Sequence, residues 1–371
     1  MPPIGVMIKP SSGKCNMRCD YCFYIDEQAN RARPDFGFME EKTLKNIIRR
    51  TLLHAEGAAS YAFQGGEPTL RGLDFFRKAV EYQKQYNRNH VRIQNSIQTN
   101  GLLLDREWCA FLRENRFLTG VSLDGTREVH NRFRHLRNEE GSASSFDLVL
   151  ERIHLLQEEK VEFNILTVVT DETAAHIEEI YDFFRKEDFS WQQYIACLDP
   201  MDQTEASRYR PRLSQEDYGR FLVRLWDLWE KDENRPYIRQ FDNWIGIELG
   251  VPPEACDMRG VCGMQYVCEA DGSVYPCDFY MTDGYRLGNF NEERMDSVDA
   301  RRTALSFIEE SRHFSEKCGS CPYLRFCRGG CRRNRENGLN RFCESYRMFF
   351  DQRLDELRKT AHEMRLMEGK R

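Results

Sequence analysis

The stretch Lys14-Cys15-Asn16-Met17-Arg18-Cys19-Asp20-Tyr21-Cys22 places three cysteines within eight residues, spaced C-x3-C-x2-C. Thiolates are the usual ligands of iron–sulfur clusters. A 4Fe–4S cluster has four irons, so three thiolates leave one iron open to a substrate or cofactor. A structural zinc site is closed by four ligands. The nearest histidine to this loop is His54, too far along the chain to be an obvious fourth.

Working outward, residues 4–9 read as a strand that delivers the chain into this loop. Strands are also expected at Ala59–Gln64, Val91–Gln98, Leu118–Leu123, 161–169 and 190–195. Helices are expected between them, at 40–56, 72–87, 105–115, 126–135, 145–159 and 174–186, from apolar positions at helical spacing such as Leu73, Phe76 and Val80. Six strand–helix alternations predict a parallel α/β sheet. Sites in such sheets gather at the carboxyl ends of the strands. The cysteine loop follows the first strand, Gly65-Gly66-Glu67-Pro68 the second and Thr99-Asn100-Gly101 the third. Ser122 and Asp124 end the fourth, and Cys197-Leu198-Asp199-Pro200 follows the sixth.

Composition narrows the function classes. The 371 residues carry 54 basic and 60 acidic side chains, a net charge of −6, which is no footprint for nucleic acid. No apolar run is long enough to span a membrane, and the amino terminus lacks the pattern of a signal peptide. A cytoplasmic location is therefore expected, where thiols stay reduced. The 14 cysteines then call for metal rather than disulfides. Cys109 and Cys197 sit in apolar surroundings and read as plain buried thiols. Residues 201–213 have loop composition, and the apolar stripe along 214–232 (Tyr218 to Trp229) reads as core.

With Tyr21 ahead of Cys22, the loop resembles the radical S-adenosylmethionine (SAM) superfamily. The resemblance implies an open, partial (β/α)6 barrel, with Tyr21 against adenine and the open iron chelating the methionyl amino and carboxylate groups. Gly65-Gly66-Glu67-Pro68 is similar to the family's Gly-Gly-Glu-Pro motif, where Gly66 lets the backbone approach the amino group. Ser122 resembles a ribose or carboxylate contact. Arg134 resembles the arginine that reaches the cofactor carboxylate, with Arg132 as competitor. Leu198 resembles a backbone contact to adenine.

A second group of cysteines begins after Pro252-Pro253. Residues 265–279 read as a hairpin turning at Asp271-Gly272. Cys262-x9-Gly272-x4-Cys277, then Cys318-x2-Cys321-x5-Cys327-x3-Cys331-x11-Cys343, is similar to the SPASM extension, which holds two auxiliary 4Fe–4S clusters. The resemblance assigns Cys256, Cys262, Cys277 and Cys331 to one cluster and Cys318, Cys321, Cys327 and Cys343 to the other, for three clusters in all. Cys268 is left over as a rival to Cys256 or Cys262, and a zinc ribbon is the plainer alternative. The expected division is a barrel over 1–235, the auxiliary-cluster segment over 236–343 and a helical tail over 344–371.

Pro276-Cys277-Asp278-Phe279-Tyr280, Gln64-Gly65-Gly66-Glu67-Pro68-Thr69-Leu70 and the lead-in Ile8-Lys9-Pro10 resemble the anaerobic sulfatase-maturating enzymes over roughly residues 1–350. That family oxidises a cysteine or serine in a C/S-x-P-x-R segment of an unfolded sulfatase to Cα-formylglycine. The resemblance implies abstraction of Hβ, deprotonation by Asp278 and electron loss to an auxiliary cluster, with a ferredoxin or flavodoxin as electron donor. A carboxylate is a weak base toward a thiol in water, and burial or nearby negative charge strengthens it. Two other readings compete: a cross-linking peptide maturase of the same class, and a non-enzymatic zinc-binding module. An aldehyde product separates the first from both.

Overall fold

The computed structural model describes residues 3–137, 144–201 and 210–368. Its first twelve strands, in chain order, are β1 (Ile4–Ile8), β2 (Met17–Cys19), β3 (Ala58–Phe63), β4 (Arg92–Thr99), β5 (Phe117–Ser122), β6 (Arg134–Leu136), β7 (Phe163–Val169), β8 (Trp191–Ala196), β9 (Tyr237–Ile238), β10 (Tyr266–Cys268), β11 (Ser273–Tyr275) and β12 (Gly288–Asn289). Ten of them form one sheet in the order β12-β11-β10-β1-β3-β4-β5-β7-β8-β9. All neighbours from β10 through β1 to β9 run parallel.

The alternation of side chains along each strand sorts the two faces of the sheet. Tyr61 and Phe63 of β3, Ile97 of β4 and Val121 of β5 are buried with the helices Glu41–Leu52, Leu73–Tyr86 and Arg106–Glu114. The other face carries smaller or polar groups, among them Ala62, Ser96, Gln98 and Ser122, and is more open. Helix starts are fixed locally. Asp105, Ser144 and Ser214 each accept a backbone N–H three residues on, from Trp108, Asp147 and Asp217. The helix expected over 174–186 starts earlier, in two pieces, Asp171–Ala175 and Ile177–Lys186. The cause is Thr170, whose hydroxyl caps the first piece through Thr173 N–H.

Beyond residue 235 the chain rejoins the same sheet. β10 pairs parallel with β1 in the register Ile8↔Cys268, and β11 returns antiparallel across the Asp271-Gly272 turn. The chain then folds back so that Met281 packs on Met7, Val267 and Tyr275. The last helix, Cys343–Glu368, lies on helices Gln215–Lys231 and Arg239–Glu248. Trp226, Phe241, Trp244 and Phe349 make an aromatic core there, Trp244 stacking on Phe349 at 4.5 Å. The stripe from Tyr218 to Trp229 is buried. Of the expected loop over 201–213, residues 202–209 lie outside the described residues. No described helix is long and apolar enough to cross a membrane.

Candidate active site

The cysteine loop is held from three sides. Its strand β2 pairs with β6, setting Cys19 opposite Arg134. Arg210 bridges Asp26 and the carbonyls of Cys22 (2.8 Å) and Asp20 (3.2 Å). The third support is the Gly-Gly-Glu-Pro turn. Gly66 has φ +51°, and a Cβ there would lie 2.2 Å from the Lys14 carbonyl oxygen, so only glycine lets the loop backbone come this close. Glu67 N–H donates to that same carbonyl at 2.7 Å. The buried Glu67 carboxylate accepts four hydrogen bonds, from Thr69 N–H and hydroxyl, Thr99 hydroxyl and Asn100 N–H. It therefore ties the ends of β3 and β4 together.

The sulfurs face N–H donors. Met17 N–H points at Cys15 Sγ (3.3 Å), Asn100 Nδ2 lies 3.7 Å from the same sulfur, and Arg134 Nη1 lies 3.9 Å from Cys19 Sγ. Burial pushes the Cys15 thiol up to about 12, with the Glu67 charge second, and burial raises Cys19 and Cys22 as well. Thiols held this way ionise when a metal takes them. Three free thiols on one loop with donors aimed at sulfur fit a three-thiolate cluster site. Among the described residues no group of His, Cys, Asp and Glu is drawn together as ligands of a single metal ion.

Arg134 is buried and gives its Nε and Nη2 to Asp124 at 2.8 and 3.1 Å. Tyr21 also bonds Asp124 through its hydroxyl and lies edge-on to Phe133. Burial works to raise the Asp124 carboxyl, but the Arg134 charge and hydrogen bonds outweigh it and hold it below the usual carboxylate range. Ser122 Oγ accepts from Gln98 Nε2 at 3.1 Å on the open face of β5. Leu198 is half-buried after β8, where Asp199 is gripped by Arg333 and Arg341 of the carboxy-terminal segment.

Asp278 sits beside the cysteine loop although it is far away in sequence. Lys9, just past β1, forms a buried ion pair with it. Tyr24, on helix α1 (Phe23–Ala29), donates its hydroxyl to both carboxylate oxygens at about 3 Å. Gln64 Nε2 reaches Oδ2 at 3.4 Å. Sequence reading missed Lys9, Tyr24 and Glu27 as members of this pocket. A lysine directly after an apolar strand was the one visible signal.

The eight carboxy-terminal thiols lie as two sets of neighbours. In one, the neighbouring thiols that raise Cys277 after burial are Cys331 and Cys256, and those that raise Cys331 are Cys256 and Cys262. Cys318 couples to Cys321, Cys327 to Cys343 and Cys318, and Cys343 to Cys321 and Cys318. Cys268 belongs to neither. It is fully buried on β10, its Sγ 3.9 Å from the Tyr266 carbonyl. Cys109 and Cys197 are buried too.

Two family models match the chain, the Radical SAM superfamily over residues 10–184 and an iron–sulfur cluster-binding domain, SPASM, over 260–322. A cysteine-type anaerobic sulfatase-maturating enzyme of Clostridium novyi is 43% identical, with 97% of this chain and 98% of that protein aligned. A serine-type anaerobic sulfatase-maturating enzyme of Bacteroides thetaiotaomicron is 32% identical, with 94% and 89% aligned. A solved structure of native anSMEcpe with bound AdoMet and the Cp18Cys peptide superposes with a TM-score of 0.90 at 40% identity, covering 98% of this chain and all (100%) of that one.

Proposed function

The chain belongs to the anaerobic sulfatase-maturating enzymes, and on that premise we propose that it oxidises the cysteine of a C-x-P-x-R segment in an unfolded sulfatase to Cα-formylglycine. Cysteine is preferred over serine because the cysteine-type relative is 43% identical and the serine-type one 32%. The observation that supports the reading best is the position of Asp278. It follows Cys277 directly, yet its carboxylate is held by Lys9, Tyr24 and Gln64 from the ends of β1, the start of α1 and the end of β3. A proton acceptor thus stands between the cysteine loop and the first auxiliary set.

In this reading Cys15, Cys19 and Cys22 hold one 4Fe–4S cluster. Cys256, Cys262, Cys277 and Cys331 hold the second, and Cys318, Cys321, Cys327 and Cys343 the third. Tyr21, Gly66, Ser122, Arg134 and Leu198 would line the SAM site, where Asp124 leaves only Nη1 of Arg134 uncommitted. When bound, these groups supply a carbon radical that removes one hydrogen atom from the substrate Cβ and a sink for one further electron. Asp278 accepts the thiol proton. Loss of hydrogen atom, electron and proton leaves a thioaldehyde, and water converts it to the aldehyde with release of hydrogen sulfide. Residues 1–235 carry the radical chemistry in this division and 236–343 the auxiliary clusters, followed by the segment 344–371, whose described part is helical to Glu368. A ferredoxin or flavodoxin in the cytoplasm would be the electron donor.

The test is mass analysis of a C-x-P-x-R peptide after anaerobic incubation with reconstituted enzyme, reductant and SAM. Conversion of the thiol side chain to an aldehyde is expected. Loss of two hydrogens with a new cross-link in place of the aldehyde would overturn the assignment.

A further inference from the structure

Lys9 is 1% exposed, and among the described residues its ammonium hydrogen-bonds Asp278 Oδ1 and the Tyr24 hydroxyl. Its Nζ also stands 3.9 Å from the centroid of the Tyr24 ring. The stem reaches this position past Gly65, which has φ +107°. A Cβ on Gly65 would come within 2.2 Å of Lys9 Cδ. The first glycine of the Gly-Gly-Glu-Pro turn therefore opens the passage for a lysine, while the second admits the loop backbone. The main chain of Lys9 is pinned as well, its N–H donating to the Cys268 carbonyl at 2.9 Å.

The two oxygens of Asp278 are not equivalent. Oδ1 takes the Lys9 ammonium and Tyr24, whereas Oδ2 has only the shared Tyr24 hydroxyl and a long 3.4 Å contact from Gln64. A carboxylate carries about four lone-pair sites. Oδ2 is the oxygen with room for another donor. A buried ion pair also compensates a charge that would otherwise be costly away from water.

We propose that Lys9 is a positioning residue for the reaction: by pinning Oδ1 it turns Oδ2 toward the substrate as the atom that accepts the thiol proton. Glu27 faces the same ammonium and supports this arrangement. It is 1% exposed, burial and then the Asp278 charge push it up to about 8, and its Oε1 is taken by Met281 N–H at 3.4 Å. The Lys9 ammonium is thus committed to Asp278, and Glu27, which also feels the Arg31 charge, stays neutral beside it. The proposal rests on the reading of Asp278 as proton acceptor.

The experiment compares holoenzymes of wild type, Lys9→Met, Asp278→Asn and the double variant. It measures iron content, peptide KM, 5′-deoxyadenosine formed and aldehyde formed per 5′-deoxyadenosine. Lys9→Met should keep its iron, peptide KM and cofactor cleavage while aldehyde per cleavage falls by roughly 10²-fold, the scale of a misplaced reacting group. The double variant should be no worse than Asp278→Asn alone, because Lys9 acts through Asp278. An unchanged aldehyde ratio in Lys9→Met beside an inactive Asp278→Asn would overturn the role of Lys9 and leave that of Asp278. Full turnover by Asp278→Asn would overturn the reading beneath both. Should Lys9→Met lose its iron, Lys9→Gln takes its place, and iron loss in both makes Lys9 structural and ends the proposal.

Discussion

Two buried pockets flank Cys22, and each holds an aspartate, a cation and a tyrosine. In one, Asp124 is clamped by both prongs of Arg134 and by Tyr21. In the other, Asp278 meets Lys9 and Tyr24. The chemistry differs because the cations differ. Guanidinium is planar and always charged, and its fork occupies both carboxylate oxygens. An ammonium is a point charge that pins one oxygen and leaves the other. The arginine pocket therefore fixes the cysteine loop, through the pairing Cys19↔Arg134, whereas the lysine pocket leaves one oxygen, Oδ2, outside the ion pair and held only by Tyr24 and a long contact from Gln64.

The sharpest way to break this comparison is to remove each aspartate's function. Asp278→Asn keeps shape and removes the base. Product formation should fall by roughly 10²–10⁴-fold, the usual worth of a positioned acid or base. Cofactor cleavage, followed as 5′-deoxyadenosine, should continue. The opposite result is expected in the other pocket. Arg134→Met strands a buried carboxylate, and the cost of breaking such a pair is about 3–5 kcal/mol of stability. Denaturation midpoint and iron content should both drop, and any residual activity should scale with the iron retained rather than with a changed aldehyde ratio.

The tyrosines give a finer division. Each hydroxyl donates to a charged carboxylate, a contact worth about 1.5–3 kcal/mol. Tyr21→Phe should spend that energy on stability, read in a denaturant titration. Tyr24→Phe should spend it on turnover as well, lowering aldehyde per 5′-deoxyadenosine because Oδ2 of Asp278 loses its nearest donor. Equal effects on stability and none on the product ratio would erase the distinction between the pockets.

The two pockets were not equally legible. Spacing marks the cysteine loop and the alternating strands, because each is a local pattern, and the Gly-Gly-Glu-Pro turn gains its meaning from the resemblance. Asp278 is legible only through the resemblance, and its partners carry no local signal. Lys9 and Asp278 are 269 positions apart, and the register Ile8↔Cys268 that unites them is a long-range pairing of three-residue reach. The same holds for Arg134. Strands β2 and β6 are three residues each, too short to carry a readable period, so the resemblance directs Arg134 to the cofactor and nothing in the sequence signals that Asp124 takes its fork. Cys268 stayed ambiguous for a related reason. Its place on a hairpin was visible, but that the hairpin lies against β1 and buries the thiol was not.

A third titratable group in each pocket sets the two apart by pH. Beside Asp124 it is His130, whose Nδ1 accepts Asp124 N–H at 3.3 Å; burial and then Arg134 push it down to about 3. Beside Asp278 it is Glu27, pushed up to about 8. Both are neutral at pH 7, but they enter the stability profile with opposite sign. The unfolded chain binds more protons than the folded one at His130 between about pH 3 and its ordinary 6.5, so that pocket gains stability as pH rises through this range and is flat above it. At Glu27 the folded chain binds more protons, between the ordinary 4.5 and about 8. Its contribution is full below 4.5 and is lost as pH rises toward 8, at a slope of at most about 1.4 kcal/mol per pH unit. Between 6.5 and 8 only the lysine pocket should then respond. Glu27→Gln, which keeps the neutral form at every pH, should flatten the wild-type decline in denaturation midpoint across that window, and a His130→Gln variant should leave it in place. A decline that survives in Glu27→Gln would mean that the second carboxylate does not share the Lys9 charge.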